Sequence, residues 1–264
     1  MTTHVRTAAP AVEKALDILE LLAEVPNGLT MNEMTEALGR TMGEIYRIVL
    51  YLAERDYLEQ NPETNRYALT LRLFELSHRH DPTERLIQAA IPCLERYAEA
   101  SLQSCHLGVL NRANVLALTS VQSPLPAGYS VRTGALFPAE QTSTGHVILA
   151  FSSAEIQLQY IEGRENEDEL RNRFAEIRRN GYEDTESTMF HGVRNLCVPV
   201  FDSRGIVGAL TSGFMQQPAN LDAGENALWL LRETAASLSS SLGFDLDRSP
   251  YKPALTSWKG SANG

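Results

Sequence analysis

Thr30-Met31-Asn32-Glu33-Met34-Thr35-Glu36-Ala37-Leu38-Gly39-Arg40-Thr41-Met42-Gly43-Glu44-Ile45-Tyr46-Arg47-Ile48-Val49-Leu50-Tyr51-Leu52 is the stretch whose reading decides the fold. Thr30 followed by Glu33 has capping-box spacing, in which a hydroxyl and a carboxylate satisfy the free N–H groups of a helix start. Met31, Met34 and Leu38 make one apolar face, and Gly39 sits where a helix C-terminus wants a residue tolerant of positive φ. Thr41 and Glu44 repeat the capping spacing, and Ile45, Ile48, Val49 and Leu52 form the buried stripe of a further helix running to about Arg55.

Working outward, residues 12–23 place Val12, Ala15, Leu16, Leu19, Leu22 and Ala23 at helical spacing before the breakers Pro26, Asn27 and Gly28. On the C-terminal side, Tyr57-Leu58-Glu59-Gln60 and Arg66-Tyr67-Ala68-Leu69 flank the turn-rich Asn61-Pro62-Glu63-Thr64-Asn65, which reads as a hairpin. Three short helices and a hairpin make a helix-turn-helix with a wing, assigned to residues 1–75. Asp81-Pro82-Thr83-Glu84 reads as an N-cap, a proline at the first helical position and an acid at the third, opening a helix to about Ala100 that Pro92 would kink or interrupt. Residues 76–101 are therefore read as a linker helix region.

From residue 102 the pattern changes. Strand-like runs cover residues 105–110, 115–121 and 129–132, and helical stretches run from Gly145 to about Asn180. Two more strands, at residues 196–201 and 206–211, bracket the turn Asp202-Ser203-Arg204-Gly205, and a last amphipathic helix covers about residues 220–242. This mixture predicts an α+β domain with a mainly antiparallel sheet over residues 102–243. Residues 244–264 lack periodicity and read as a flexible tail.

Composition narrows the function. The 264 residues hold 23 Lys+Arg against 33 Asp+Glu, a net charge of −10, so the chain does not coat nucleic acid by overall charge and any DNA contact must be local. No apolar run reaches the ~18 residues of a membrane span, and Met1-Thr2-Thr3-His4-Val5-Arg6 has no secretory apolar stretch, so a cytoplasmic protein without a membrane partner is expected. Cys93, Cys105 and Cys197 are widely spaced and show no CxxC, which suggests neither a disulfide framework nor a zinc site.

A helix presented to solvent after a tight turn fits a major groove about 12 Å wide. With Ile45, Ile48, Val49 and Leu52 inward, the opposite face shows Gly43, Tyr46, Arg47 and Leu50, with Met42 and Glu44 near the helix start. Arg47 can bind phosphate or fork onto guanine, and Tyr46 can donate to phosphate or stack on a sugar. Arg40 precedes the helix, and Arg66 sits at the wing. Residues 1–75 carry seven Lys+Arg and twelve Asp+Glu, which leaves a protein-interaction module open, although Glu13, Asp17, Glu20 and Glu24 all lie in the first helix.

These residues carry a resemblance. Leu29 to Gly39, Ile45-Tyr46-Arg47-Ile48-Val49, Tyr57-Leu58-Glu59 and Pro62 to Leu69 resemble the winged helix of IclR-type transcriptional regulators without gaps. Pro92-Cys93-Leu94-Glu95-Arg96-Tyr97, Gln141 to Ala150, and Gly192-Val193-Arg194 leading to Pro199-Val200-Phe201-Asp202 are similar to the same family's second domain. The resemblance spans roughly residues 10–243 and implies double-stranded operator DNA as a partner, contacted through Thr30, Arg40, Thr41, Met42, Gly43, Glu44, Tyr46, Arg47 and Arg66. One winged helix touches too few phosphates to be selective, so a homodimer paired through the first helix and the linker is expected, and the resemblance implies further assembly into a dimer of dimers. One departure is visible: where members of the family usually carry a small hydroxyl residue and often a base, this chain has Met42-Gly43-Glu44. Glu44 can accept a bond from cytosine N4, or simply complete the Thr41 capping box.

In the second domain, Gln141-Thr142-Ser143-Thr144-Gly145 sets three hydroxyl residues and a glycine before an apolar helical run. Free N–H groups and the positive end of the helix dipole suit a carboxylate there; ordinary N-capping is the competing reading. Tyr129 and Phe137 can close over a flat ligand or pack in the core. The resemblance makes the Ser143-Thr144-Gly145 loop one wall of an effector pocket that takes small organic acids. It adds Thr185 and Glu186 from a loop, Asn195 and Cys197 from one strand face, and Ser212 and Phe214 from the end of the last strand.

Catalysis is not expected. No GxSxG, HExxH, Walker A or GxGxxG occurs, and His106, His146 and His191 lack motifs that pair them with a nucleophile. A metal site from Cys105, His106, His146, His191 and Cys197 matches no common ligand spacing, His78-x-His80 reads as solvated linker, and no cofactor is implied. A ligand-responsive, DNA-binding regulator of catabolic genes is expected, with a ligand-sensing regulator that acts only through protein contacts as the alternative.

Overall fold

Helices α1 (Pro10–Ala23), α2 (Met31–Leu38) and α3 (Met42–Glu54) are followed by the antiparallel hairpin β1 (Leu58–Gln60) and β2 (Tyr67–Leu69). The computed structural model describes residues 9–79, 83–217 and 224–245, and the chain divides into two units between residues 82 and 83. In the first unit Ile18, Leu22, Met34, Ile45, Val49, Leu52, Leu58 and Tyr67 form the core. Both capping boxes are present, each such cap being worth about 0.5–2 kcal/mol. Gly39 ends α2 at φ 60°, the left-handed conformation that a Cβ disfavours.

Two local expectations change here. On α1 the buried face is Ile18 and Leu22 with Ala15, Leu19 and Leu21 packed beside them, while Val12 and Leu16 are exposed. The sequence carries two overlapping apolar stripes, and only the one facing Ile45 and Val49 is used. A further helix, α4 (Arg72–Arg79), follows the hairpin within the first unit.

The second unit opens with α5 (Glu84–Ser101), which starts at Glu84 with Thr83 at its N-cap and runs unbroken through Pro92. The expected Asp81 cap and first-position Pro82 lie outside the described residues. β3 (Cys105–Asn111), β4 (Asn114–Val121), β5 (Leu136–Pro138), β6 (Glu183–Glu186), β7 (Val193–Asp202) and β8 (Gly205–Met215) form one antiparallel sheet in the order β5-β4-β3-β8-β7-β6. Helices α6 (Ser143–Phe151), α7 (Ala154–Ile161), α8 (Glu167–Asn180) and α9 (Gly224–Ser241) complete it. The first domain is thus a helix-turn-helix unit and the second an α+β domain with an antiparallel sheet.

Strand alternation sorts the side chains between two cores. Leu107, Leu196, Val198, Val200, Leu210 and Phe214 pack against α5 and α9, where Ala227, Leu231, Ala235 and Leu238 make a helical stripe. Cys197, Phe201 and Ala209 face α6 and α8, with Leu170, Phe174 and Ile177 as the α8 stripe. The expected strand at residues 129–132 does not form; the chain there is irregular, and the edge strand is instead β5. Phe244 stacks on Phe201 at 4.7 Å, and residues 246–264 of the expected tail lie outside the described residues. Among the described residues, no helix is long and apolar enough to cross a membrane.

Candidate functional site

Two regions collect the residues singled out above, one in each unit. In the first, α3 buries Ile45, Val49 and Leu52 and turns Met42, Tyr46, Leu50 and Tyr51 outward, with Tyr46 48% and Tyr51 55% exposed. Gly43 and Arg47 share this open face. The other candidate residues are occupied in holding the unit together. Thr30 N–H donates to Glu33 Oε2 at 2.7 Å, closing the first capping box. Thr41 N–H and Oγ1 each donate to Glu44 Oε2 at 2.9 Å, and Lys14 reaches Glu44 Oε1 at 3.0 Å. The Thr41 N–H bond and then Lys14 push the Glu44 carboxyl down to about 2, so it is ionised and saturated as a cap.

Arg40 and Arg66 differ most from expectation. Arg40 Nη2 meets Asp17 at 2.5 Å, tying the α2–α3 turn to α1. Arg66 Nη1 donates to the Gly28 carbonyl and Nη2 to Glu33 Oε1, both at 2.8 Å, so its fork staples the hairpin to the start of α2. Arg55 donates to Tyr51 Oη at 2.9 Å, and Arg72 pairs with Glu75. Among the basic residues of 9–77, whose side chains are described, Arg47 is the one without such a partner. Composition had shown only a net-negative domain; the pairing shows where its uncommitted positive charge sits.

In the second unit, a cavity opens between the sheet and the N-terminus of α6, with about 510 Å³ of space within it and at its mouth. Of the candidate residues, Tyr129, Phe137, Ser143, Thr144 and Asn195 line it, joined by His106, Val115, Val131, Gln141, Thr142, Ser187, Thr188, Met189, Thr211 and Gly213. The α6 cap is Thr142, whose Oγ1 accepts from Gly145 N–H at 3.2 Å. This leaves the Ser143 hydroxyl, 5% exposed, without a hydrogen-bond partner among the described residues. Thr144 and Thr211 share a 2.8 Å hydrogen bond, and Thr211 Oγ1 donates onward to Cys197 Sγ at 3.0 Å. The Tyr129 ring lies against Gly213, where a Cβ would come within 2.4 Å of Cδ1, and stacks obliquely on Phe190 at 4.9 Å.

The remaining candidates lie elsewhere. Gly145 faces the Ala139 carbonyl rather than the cavity. Thr185 and Glu186 belong to strand β6, not a loop, and the residues that follow them line the cavity. Cys197 is buried beneath α6, and burial raises its thiol pKa well above the ordinary range. Ser212 donates to the Ser104 carbonyl at 2.9 Å, and Phe214 packs with α5 and α9. Both sit on the wrong face because Asn195 pairs with Gly213 and Cys197 with Thr211, so the cavity takes the odd-numbered residues of β8. His106 pairs with Thr211 in the same row, and this cross-strand register is the signal that reveals it.

Among the described residues, no group of three His, Cys, Asp or Glu side chains is placed to hold a metal ion. His146 is buried on α6, with Nδ1 3.3 Å from Glu183 Oε2 and Nε2 2.9 Å from the Glu140 carbonyl, and Arg173 reaches Glu183 at 3.2 Å. His191 is exposed, and the side chains of His78 and His80 lie outside the described residues.

The family model described as the IclR helix-turn-helix domain matches residues 11–62, and the one described as bacterial transcriptional regulator IclR C-terminal matches residues 82–240. The chain is 25% identical over 245 residues to the HTH-type transcriptional regulator KdgR of Escherichia coli strain K12, covering 89% of this chain and 93% of that protein. It is 29% identical over 249 residues to the glycerol operon regulatory protein of Streptomyces griseus, covering 88% and 96%. An IclR homolog from Microbacterium hydrocarbonoxydans, solved in complex with 4-hydroxybenzoate, superposes with a TM-score of 0.75 at 21% identity, covering 88% of this chain and 98% of that one.

Proposed function

The chain belongs to the IclR family of DNA-binding transcriptional regulators, which are not enzymes, and on that premise we propose that it controls catabolic genes in response to a small organic acid. The observation that carries this reading is the cavity at the start of α6. Thr142 caps Gly145 N–H, which leaves the Ser143 hydroxyl and the Ser143 and Thr144 N–H groups, without intrahelical acceptors, beside a space walled by Tyr129 and Phe137. A carboxylate answers those donors, and Tyr129 and Phe137 offer apolar contact to its aliphatic or aromatic body. The 4-hydroxybenzoate bound to the Microbacterium relative supports the same ligand class.

On the DNA side, Tyr46 and Arg47, with Met42 and Gly43, form the reading face, while Thr30, Arg40, Thr41, Glu44 and Arg66 hold that face in position. One such unit makes few phosphate contacts, so we infer a homodimer or dimer of dimers. Val12 and Leu16 on α1 and Leu73 on α4 supply exposed apolar surface for pairing.

A thermal-shift screen of the full chain against acetate, pyruvate, benzoate and 4-hydroxybenzoate tests the ligand class. At least one carboxylate is expected to raise the melting temperature, and the double substitution Ser143→Ala/Thr144→Ala is expected to weaken its binding at least tenfold, about 1.4 kcal/mol. An undiminished shift in the double variant removes the α6 loop from the site.

A further inference from the structure

The cavity lining contains His106 and Tyr129 as its only titratable side chains among the described residues, and no Lys, Arg, Asp or Glu. A carboxylate admitted there would lose part of its hydration with no fixed counter-charge beside it, an arrangement that proteins avoid by pairing or by moving a proton. The two threonines offer little help. Thr211 donates to Cys197, so it accepts from Thr144, and both hydroxyl hydrogens are already engaged. The other lining hydroxyls and amides can donate a hydrogen bond but cannot gain a charge, so among the lining side chains the imidazole of His106 is the one that can become positive.

His106 is 8% exposed and has no hydrogen-bond partner among the described residues, although it lines the cavity. An imidazole that lines the cavity with no protein partner is left to hydrogen-bond with whatever occupies it. Its surroundings carry no charge: Thr211 on β8, Ser120 on β4, Thr144 on α6, and Tyr129 across the cavity. The buried Glu183 acts on the Cys197 thiol beyond Thr211 and not on His106.

We propose that His106 contacts the effector and becomes protonated when it binds, so that the cavity takes up a carboxylate together with one proton. The ligand stays ionised, the proton comes from solvent, and the pair enters without net charge. This rests on the acid-binding reading of the cavity.

The sign follows from linkage. In the empty cavity, burial alone pushes His106 down to about 4, so the ring is neutral at higher pH. A neighbouring carboxylate favours the imidazolium and raises that value. Between the two values the complex holds one more proton than its separated parts, so affinity rises as pH falls, by up to about tenfold per pH unit.

Calorimetry of the full chain tests this with acetate, pyruvate, benzoate and 4-hydroxybenzoate, between about pH 5.5 and about pH 8, in buffers of different ionisation heat. Proton uptake that climbs toward one per ligand as pH falls is expected, and His106→Gln, which can still hydrogen-bond but cannot protonate, is expected to bind with no uptake and a flat pH profile. Binding without proton uptake in the unmodified chain, or an unchanged pH slope in His106→Gln, overturns the role of His106 and leaves the acid-binding reading standing. If none of the four carboxylates binds at any pH, the acid-binding reading itself fails, and the proposal with it.

Discussion

Arg47→Ala is expected to weaken operator binding by about 5- to 150-fold, about 1–3 kcal/mol, while leaving the melting temperature of the chain unchanged. The size of the effect follows from how charge is spent in the first unit. Lys14, Arg40, Arg66 and Arg72 are paired with Glu44, Asp17, Glu33 and Glu75, and Arg55 is bound to Tyr51. Each is committed to a neighbour, and freeing one to meet a phosphate would break an existing bond. Arg47 has no such commitment and stands on the exposed face beside Tyr46. Its loss therefore has no ready substitute among the basic side chains described at residues 9–77. Equal affinity of Arg47→Ala and the unmodified chain in a fluorescence-anisotropy titration at fixed salt would show that α3 does not present the reading face.

Gly145→Ala is expected to destabilise the second domain by about 3 kcal/mol or more, the upper part of the range for overpacking. An alanine in a helix interior would ordinarily gain about 1 kcal/mol over glycine, so the expected sign is opposite to the propensity. The cause is a close approach of backbone to backbone. A Cβ at Gly145 would lie 1.8 Å from the Ala139 carbonyl oxygen and 2.5 Å from its carbon, atoms that cannot swing aside as a side chain can. Relief requires moving the turn that carries Gln141 and Thr142 to the cavity rim, so ligand response should fall together with stability. Denaturant unfolding of the full chain reads the outcome, and a transition shifted by less than about 1 kcal/mol would mean that the α6 start is far softer than its packing indicates.

The helix-turn-helix was legible in the sequence because its signals are local. Two capping boxes, the Gly39 stop and the stripe on α3 each involve residues within one or two turns, and all are present. The α1 face was less legible, since Ile18 and Leu21 supply a second stripe beside Leu16 and Leu19, and only contact with α3 decides between them. Helix α4 follows β2 without a stop signal, and Leu71, Leu73 and Leu76 continue an apolar run that offers no boundary to read. The cavity shows the same division. Ser143 and Thr144 were readable from a helix start, whereas Thr211, Gly213 and His106 are placed by the pairing of three strands distant in sequence. A one-residue change of parity separates Ser212 and Phe214 from the cavity, and no local pattern in an apolar strand fixes that parity. Arg40 and Arg66 were sound as candidates by position; their partners, Asp17 and Glu33, become visible only once the unit is folded.

If the chain is a ligand-responsive regulator, DNA held by α3 is coupled to an acid held at α6. The direct measurement is an anisotropy titration of the full chain with duplexes from the DNA flanking its own gene, with and without a carboxylate that stabilises the protein. Tight binding to at least one duplex that weakens steeply with salt is expected, with a shift of at least fivefold when the carboxylate is present, about 1 kcal/mol of coupling. Duplex affinity that is identical with and without a bound carboxylate would contradict it.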